Sequence, residues 1–315
     1  MNDDAATESK SSSPPAPLGI AGQALLGGLH LLPKNLVSRW AGRFASLRLP
    51  APIQRAEIQL FARLAGVDLS ETRDPLSSFP SLQSFFTRAL AEGRRPVEGD
   101  EATLVSPCDG AWGAAGRIEN GTLLQVKGRA YAVADLLGDR DLAAEYEGGA
   151  YATLYLSPRD YHRFHTPIAG RITRVDYWPG ALWPVNPVGL KGVDGLFAKN
   201  ERICAYLEPE PSQGGAAASE GAESPAIALV AVGATMVGSV RLGFSTLTTN
   251  QPEGRAAREN LGEAAPRFAR GEEWGHFEFG STIVMLLPPG EFALDPEPAG
   301  TPLRLGTKIG QRRAV

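Results

Sequence analysis

Residues 271–286 read GEEWGHFEFGSTIVML and carry the clearest structural signal in the chain. Phe277 and Phe279 flank Glu278, and this alternation is the period of a β-strand with one buried face. The pattern breaks at Gly280–Ser281 and resumes in the apolar run TIVML. Because glycine adopts backbone angles that other residues avoid, the pair predicts a sharp or strained turn. A β-bulge glycine followed by a surface serine would give the same pattern.

After Val105 the chain consists largely of short apolar runs separated by Gly and Pro, and this pattern predicts many short strands. Few long helices accompany them, which favours an antiparallel sandwich or barrel. The predicted strands include Thr153–Leu156, Ile172–Trp178, Ile227–Val232, Thr235–Val240 and Thr282–Leu287. The low-complexity stretch EPEPSQGGAAASEGAESP, residues 208–225, predicts a flexible loop between two strands.

The N-terminal part of the chain has a different pattern. Residues 1–17 are rich in Ser and Pro and predict a disordered tail. Apolar residues spaced three to five apart predict helices in the region 18–95, which is followed by a β-rich region at 96–315. The expected fold class is therefore α+β, with N-terminal amphipathic helices followed by a mainly antiparallel sandwich or barrel-like domain.

Segment 18–63 is strongly basic in a chain whose net charge is -4. It carries six Lys or Arg residues against one acid, Glu57, and these basic residues are interleaved with Trp40, Phe44 and several leucines. That mixture is typical of a helix lying in an anionic membrane surface. An ordinary amphipathic helix packed on its own domain is the alternative.

Bulk composition excludes several classes of protein. The acidic net charge gives no indication of nucleic-acid binding. Cys108 and Cys204 are far apart and predict neither a disulfide framework nor a metal site, which fits a reducing compartment. The first residues lack the basic start and apolar run of a signal peptide. The apolar stretch 18–32 is shorter than the roughly 20 residues that span a bilayer, and glycines interrupt it.

Four further blocks share the chain with the Gly-Ser-Thr motif. They are SPCDG at 106–110, YLSPRDYHRFHTPIAG at 155–170, VNPVGLKGVDGLFAKNERIC at 185–204 and VGATMVGSV at 232–240. In this order, and together with residues 271–286, they resemble the phosphatidylserine decarboxylase family, whose members are pyruvoyl-dependent. The resemblance extends from about Leu82 to Leu287. Phe279 departs from the family, which more often has Leu before Gly-Ser-Thr.

The resemblance implies a catalytic triad and a cleavage site. An Asp-His-Ser triad that drives self-cleavage falls on Asp109, His165 and Ser281, and the bond that breaks joins Gly280 to Ser281. A serine hydroxyl needs a base to remove its proton, and a histidine oriented by a carboxylate is a common base. The products are then residues 1–280 and a 35-residue chain, 281–315. His162 is expected to donate a proton during decarboxylation or to contact the head group.

The resemblance also implies the cofactor, the substrate and the partners. Ser281 becomes a covalent pyruvoyl group, the pyruvate cofactor, which forms a Schiff base with phosphatidylserine and releases phosphatidylethanolamine. No metal and no other organic cofactor is expected. The large and small chains are expected to stay associated and to form a homodimer of the two-chain unit. The expected location is peripheral, on the cytoplasmic side of an anionic cell membrane.

Three other functions compete with this interpretation. His162 and His165 are spaced as half of a zinc site, although catalytic zinc normally takes three protein ligands. A serine hydrolase is a second alternative, because Asp, His, Ser is a known chain order for proteases, but Ser281 lacks the Gly-x-Ser-x-Gly elbow. A lipid-binding module with a membrane-docking helix pair is the third, and it leaves Asp109 and both histidines without a role.

Overall fold

A computed structural model describes most of the chain. The described residues are 27–28, 34–125, 129–211, 226–235, 239–251, 254–278 and 282–313. Helices prevail before residue 90 and strands prevail after it, so the predicted α+β class is confirmed. The strands form several antiparallel sheets and no closed barrel within these ranges. The predicted disordered tail, residues 1–17, lies outside the described residues.

The longest described helices are the first two. The helices are α1 (Lys34–Ala45), α2 (Ala51–Ala65), α3 (Leu82–Phe86), α4 (Val133–Leu137), α5 (Arg140–Ala144), α6 (Pro187–Gly192) and α7 (Leu196–Lys199), with single 3₁₀ turns at Leu69–Glu71, Leu76–Ser78 and Gly262–Ala264. α3 begins with a capping box, in which the Ser81 and Ser84 side chains each bond the other residue's backbone N–H. Across the described ranges, no helix has the length and apolar content that crossing a bilayer requires.

The strands are mostly short. They are β1 (Thr103–Val105), β2 (Gly110–Arg117), β3 (Thr122–Gln125), β4 (Arg129–Ala132), β5 (Ala150–Tyr155), β6 (Arg163–His165), β7 (Gly170–Trp178), β8 (Arg202–Pro209), β9 (Ile227–Val232), β10 (Val240–Leu242), β11 (Ala257–Asn260), β12 (Arg267–Phe268), β13 (Glu273–Phe277), β14 (Thr282–Leu287), β15 (Phe292–Leu294), β16 (Pro302–Leu303) and β17 (Lys308–Arg312). The predictions for β5, β7, β9 and β14 are confirmed to within a few residues. The strand predicted at Thr235–Val240 is wrong at its start, because Thr235 lies in a turn and β10 begins only at Val240; residues 236–238 lie outside the described part.

The main sheet has nine strands, in the order β11-β7-β8-β9-β14-β5-β2-β16, with β12 also paired to β7. Every pairing in it is antiparallel. β14 lies at its centre, between β5 and β9. β8 and β9, which flank the low-complexity stretch, pair with each other; residues 212–225 between them lie outside the described residues.

Both faces of the main sheet are buried, which explains why its central strands are continuously apolar. In β14, Ile283 and Met285 enter one hydrophobic cluster, whereas Val284 and Leu286 enter another. The first cluster packs the main sheet against two small sheets, β1-β17-β15 and β10-β13-β6. The second packs it against the β3–β4 hairpin and helices α4 to α7. Alternation along an extended strand distributes the side chains between the two layers.

Candidate active site

The start of β14 marks the position of the site. Thr282 lies opposite Tyr155 on one side and Val232 on the other, and Tyr155 in turn lies opposite Ala111. Adjacent strands are about 4.8 Å apart, so Ala111 and Thr282 are separated by roughly 10 Å. The motif residues Phe279, Gly280 and Ser281 lie outside the described residues. Ser281 is nevertheless bonded directly to Thr282, which fixes the end of the sheet at which the other predicted site residues must be sought.

Asp109 comes to this end of the sheet because its turn is tied to two neighbouring strands. The turn connects β1 to β2, and its Pro107 carbonyl accepts a hydrogen bond from the His165 backbone N–H at 2.7 Å. Gly110 follows with a φ of +148°, and a Cβ there would lie 2.2 Å from the carbonyl oxygen of Tyr155. Only glycine allows this close approach. The Asp-Gly pair therefore places the Asp109 carboxylate beside β5 and β6.

A buried arginine holds the Asp109 carboxylate. Arg95 Nε donates to Oδ1 of Asp109 at 2.8 Å and Nη2 donates to Oδ2 at 2.6 Å, while the same guanidinium bonds both carboxylate oxygens of Glu71. The Leu305 backbone N–H also donates to Oδ1 at 2.9 Å. Burial opposes the charge of Arg95, but its bonds to Asp109 and Glu71 outweigh that cost and raise its pKa. The Arg95 bonds lower the pKa of Glu71.

His165 is poised as a base at neutral pH. Its Nδ1 lies 2.9 Å from the carbonyl oxygen of Gly271, which can only accept a hydrogen bond, so the neutral ring carries its proton on Nδ1. Nε2 then carries the lone pair, which accepts a hydrogen bond from the Tyr161 hydroxyl at 3.3 Å. Burial lowers the pKa of His165, with partial opposition from the Gly271 hydrogen bond. The ring is therefore neutral near pH 7 and able to accept a proton.

Asp109 and His165 are neighbours without a direct hydrogen bond between their side chains in the described structure. Asp109 is close enough for its charge to favour protonation of the His165 ring. The backbone carbonyl of Gly271, rather than this carboxylate, orients the imidazole. Asp109 thus acts on His165 through space and through the shared turn, in which Pro107 binds the His165 backbone.

His162 occupies a different environment from His165. Its ring is fully buried and stacks on Phe86, with 4.0 Å between the ring centroids. Neither ring nitrogen makes a well-formed hydrogen bond within the described residues, and the Asp160 backbone is the polar group beside it. Burial, reinforced by the nearby charge of Arg88, lowers its pKa to about 3. Its backbone carbonyl accepts from Phe277 at the end of β13, so the residue borders the strand that leads into the motif.

Comparison with known proteins identifies the family of this chain. The family model described as phosphatidylserine decarboxylase matches residues 82–311. The chain belongs to the phosphatidylserine decarboxylase family. It is 44% identical over 288 residues to the phosphatidylserine decarboxylase proenzyme of Anaeromyxobacter sp. (strain K), covering 90% of this chain and 97% of that relative. Identity to the proenzyme of Brevibacillus brevis is 41% over 272 residues, covering 86% and 91% of the two chains.

Several residues of this decarboxylase-family site escape analysis of the sequence. Arg95, Glu71 and the Gly271 carbonyl come from segments far from Asp109 and His165, and no spacing in the chain connects them. Tyr161 lies within the block at 155–170, only four residues before His165. This spacing therefore gave some indication that their side chains are close together. No cluster of three or more metal-binding side chains occurs in the described part of the chain.

Proposed function

We propose that this chain cleaves itself between Gly280 and Ser281 and then decarboxylates phosphatidylserine with the pyruvoyl group formed at position 281. One observation carries the proposal: the turn that holds the anchored Asp109 carboxylate lies at the end of the sheet where β14 begins, immediately after Ser281, and the same turn binds the His165 backbone through Pro107. The printed names of the relatives, phosphatidylserine decarboxylase proenzyme, support both the reaction and the conversion of a precursor.

Self-cleavage uses His165 as the base and Ser281 as the nucleophile. His165 Nε2 takes the proton of the Ser281 hydroxyl, whose oxygen attacks the Gly280 carbonyl and converts the peptide bond to an ester. Removal of the Ser281 α-proton then breaks the Cβ–O bond and releases Gly280 as a carboxylate. The dehydroalanine left at 281 takes up water and loses ammonia. Asp109 supports the imidazolium that forms on His165 at the first step.

Polar atoms on either side of the motif support a pyruvoyl group at position 281. The Thr282 hydroxyl, in the residue that follows the motif, makes no well-formed hydrogen bond in the described structure, and neither do the ring nitrogens of His162, whose backbone binds the end of β13. A pyruvoyl group there would supply the carbonyl that condenses with the substrate amine and takes up the electrons left by carbon dioxide. Because the pKa of His162 is about 3, the neutral ring predominates near pH 7. This favours the head-group contact over the role of a strong proton donor.

The central position of β14 supports continued association of the two chains after cleavage. The small chain, 281–315, contributes β14 to the middle of the main sheet, where all six of its residues are buried. It also contributes β15, β16 and β17, and β17 pairs with β1 of the large chain. Separating the chains would expose this apolar strand and break the four hydrogen-bonded ladders that β14, β16 and β17 form with strands of the large chain. A homodimer of the two-chain unit stays a prediction from the family resemblance.

The N-terminal helices support docking on a membrane surface. Many of their large apolar side chains face outward, whereas the polar Ser38 and Gln54 are buried at 0% and 3% exposure. The exposed set in the helices and the loop between them comprises Leu36, Val37, Trp40, Phe44, Leu47, Ile53, Leu60 and Leu64. α1 is therefore the reverse of an amphipathic helix that packs its apolar face on its own domain, whereas α2 also buries Ile58 and Ala62 against Phe85 of α3. Together with the basic residues of the segment, the exposed set favours an anionic lipid surface as the partner.

Mass spectrometry of the purified protein tests the proposal. We expect two chains divided between residues 280 and 281 that co-elute under native conditions and separate only in denaturant. The small chain should begin with a ketone in place of an amine. A protein that decarboxylates phosphatidylserine as one uncut chain would refute the proposal.

A further inference from the structure

Arg88 is a buried cation with unused hydrogen-bond donors. The residue is only 4% exposed. Its Nη2 donates to the carbonyl oxygens of Arg159 and Asp160 at 3.2 and 3.3 Å. Nε and Nη1 make no hydrogen bond in the described part of the chain. Removing a guanidinium from water without supplying an anion or a full set of acceptors is costly, so these donors require an explanation.

The carboxylates nearest to Arg88 are already engaged. Asp109, Glu71 and Asp160 all favour its charge from a distance. The first two are bonded directly to Arg95, and Asp160 accepts from the backbone and hydroxyl of Ser157. Burial is the main influence on Arg88, and it lowers the pKa. Arg202 shows how this fold satisfies a buried arginine of purely structural role: it is equally buried, and its three guanidinium nitrogens all donate to backbone carbonyls.

Arg88 and His162 form one polar cluster among aromatic rings. The Arg88 guanidinium lies 5.3 Å from the Phe85 ring centroid, and the next residue, Phe86, stacks on His162. The positive charge of Arg88 acts on the His162 ring. Two guanidinium nitrogens and two ring nitrogens therefore lie buried in one region without well-formed hydrogen bonds. Native proteins rarely leave several such groups together unless a ligand uses them.

We propose that Arg88 and His162 bind the phosphodiester of the substrate head group. This inference rests on the proposed function and deepens it. A guanidinium forms strong charge-assisted bonds to phosphate oxygens, and a neutral imidazole adds one N–H donor. Because both Arg88 nitrogens are enclosed, neighbouring residues must shift to admit the phosphate.

The substrate carboxylate is a poorer partner for Arg88. Pairing a cation with that carboxylate would stabilise the ground state more than the transition state, in which its charge moves onto the cofactor. The phosphodiester keeps the same charge in substrate, transition state and product. Binding it anchors the head group throughout the reaction.

Calorimetric titration of the mature two-chain protein with three soluble probes tests this. The probes are glycerophosphoethanolamine, ethanolamine, which lacks the phosphate, and glycerophosphoserine, which adds the carboxylate. Wild type should bind glycerophosphoethanolamine about 10–100-fold more tightly than ethanolamine, as charged hydrogen bonds allow. Arg88→Gln should reduce that ratio of affinities to about threefold or less. Arg88→Lys keeps the positive charge but loses the paired N–H donors of the guanidinium, so its ratio should lie between those of wild type and Arg88→Gln. Arg202→Gln, the matched buried control, should keep the wild-type ratio whatever its thermal stability.

Three results would overturn the inference. One is that Arg88→Gln keeps the wild-type ratio of glycerophosphoethanolamine affinity to ethanolamine affinity. If the glutamine variant does not fold, the same result in Arg88→Lys has this meaning. Another is equal weakening of all three probes, which indicates packing alone. The last is a selective loss of glycerophosphoserine binding, which assigns Arg88 to the carboxylate. A wild-type protein that never divides at 280/281 refutes the proposed function instead, so the two failures are distinguishable.

Discussion

Replacing Arg95 with Met tests how the Asp109 carboxylate is held. The Arg95 side chain is 8% exposed and bridges Asp109 and Glu71, whose side chains are 7% and 15% exposed. Removing one partner of a buried pair costs about 3–5 kcal/mol. In the variant, Asp109 keeps its hydrogen bond from the Leu305 N–H, and Glu71 keeps its ion pair with Arg304 at 3.6 Å. The expected loss in the free energy of unfolding is therefore at the low end of this range, about 3 kcal/mol. At roughly 2 °C per kcal/mol, Tm should fall by about 6 °C.

The assay is thermal unfolding of Arg95→Met beside a matched control, Arg73→Met. Arg73 pairs with Asp74 at 2.9 Å, but the two side chains are 61% and 37% exposed, so water screens the pair and its loss should change Tm little. Self-cleavage of Arg95→Met should also slow, because Asp109 loses two of its three hydrogen bonds. Equal shifts in Tm for the two variants, together with normal cleavage, would refute the assignment of Arg95 as the anchor of Asp109.

The remaining predictions concern cleavage, catalysis and docking. Ser281→Ala should give an intact 315-residue chain without decarboxylase activity, since alanine supplies no nucleophile; a divided chain on a denaturing gel would contradict this. His165→Ala should accumulate precursor, whereas His162→Ala should mature and then decarboxylate more slowly, because the head-group contact is lost; gels and product assays on both variants would reveal exchanged roles. The rate of self-cleavage in a quenched cell-free translation should rise with pH through the folded-state pKa of His165. The midpoint of this rise should lie below pH 6.5, because burial lowers that pKa and the neutral ring is the base. The same shift means that His165 destabilises the fold as pH falls below 6.5, where the unfolded chain binds the proton more tightly. Combining Trp40→Ser with Phe44→Ser should weaken binding to anionic vesicles, measured by sedimentation, by at least about tenfold, since both side chains are exposed in the monomer. Self-cleavage should not change, and unchanged vesicle binding would assign docking to another surface.

Local sequence patterns predicted the N-terminal helices and the central strands, but not the short helices α4 to α7. Continuous apolar runs such as Ile227–Val232 and Thr282–Leu287 match β9 and β14 to the residue, because burial on both faces leaves little room for polar side chains. The spacing of Ile58 and its neighbours predicted α2 for a similar reason. The predicted strand start at Thr235 failed because an apolar run alone does not distinguish a turn from a strand.

The contacts inside the site were less accessible to sequence analysis. The Asp109–Arg95–Glu71 arrangement joins residues 14 and 24 positions apart, and only the folded chain brings them together. The orienting group for His165 is a backbone carbonyl, which every residue possesses and no motif records. The outward direction of Trp40 and Phe44 was equally hidden, because a helical pattern gives the apolar face but not what lies against it.

The bond from Leu305 to Asp109 makes the proposed maturation depend on a late part of the chain. Asp109 takes one of its three hydrogen bonds from a residue 196 positions later. The β14 strand that follows the proposed cleavage point is also translated late. Translation must therefore pass Leu305 before Asp109 can gain all three of these bonds. We expect a chain terminated before this residue to hold Asp109 less firmly and to mature more slowly, which would couple self-cleavage to the progress of translation.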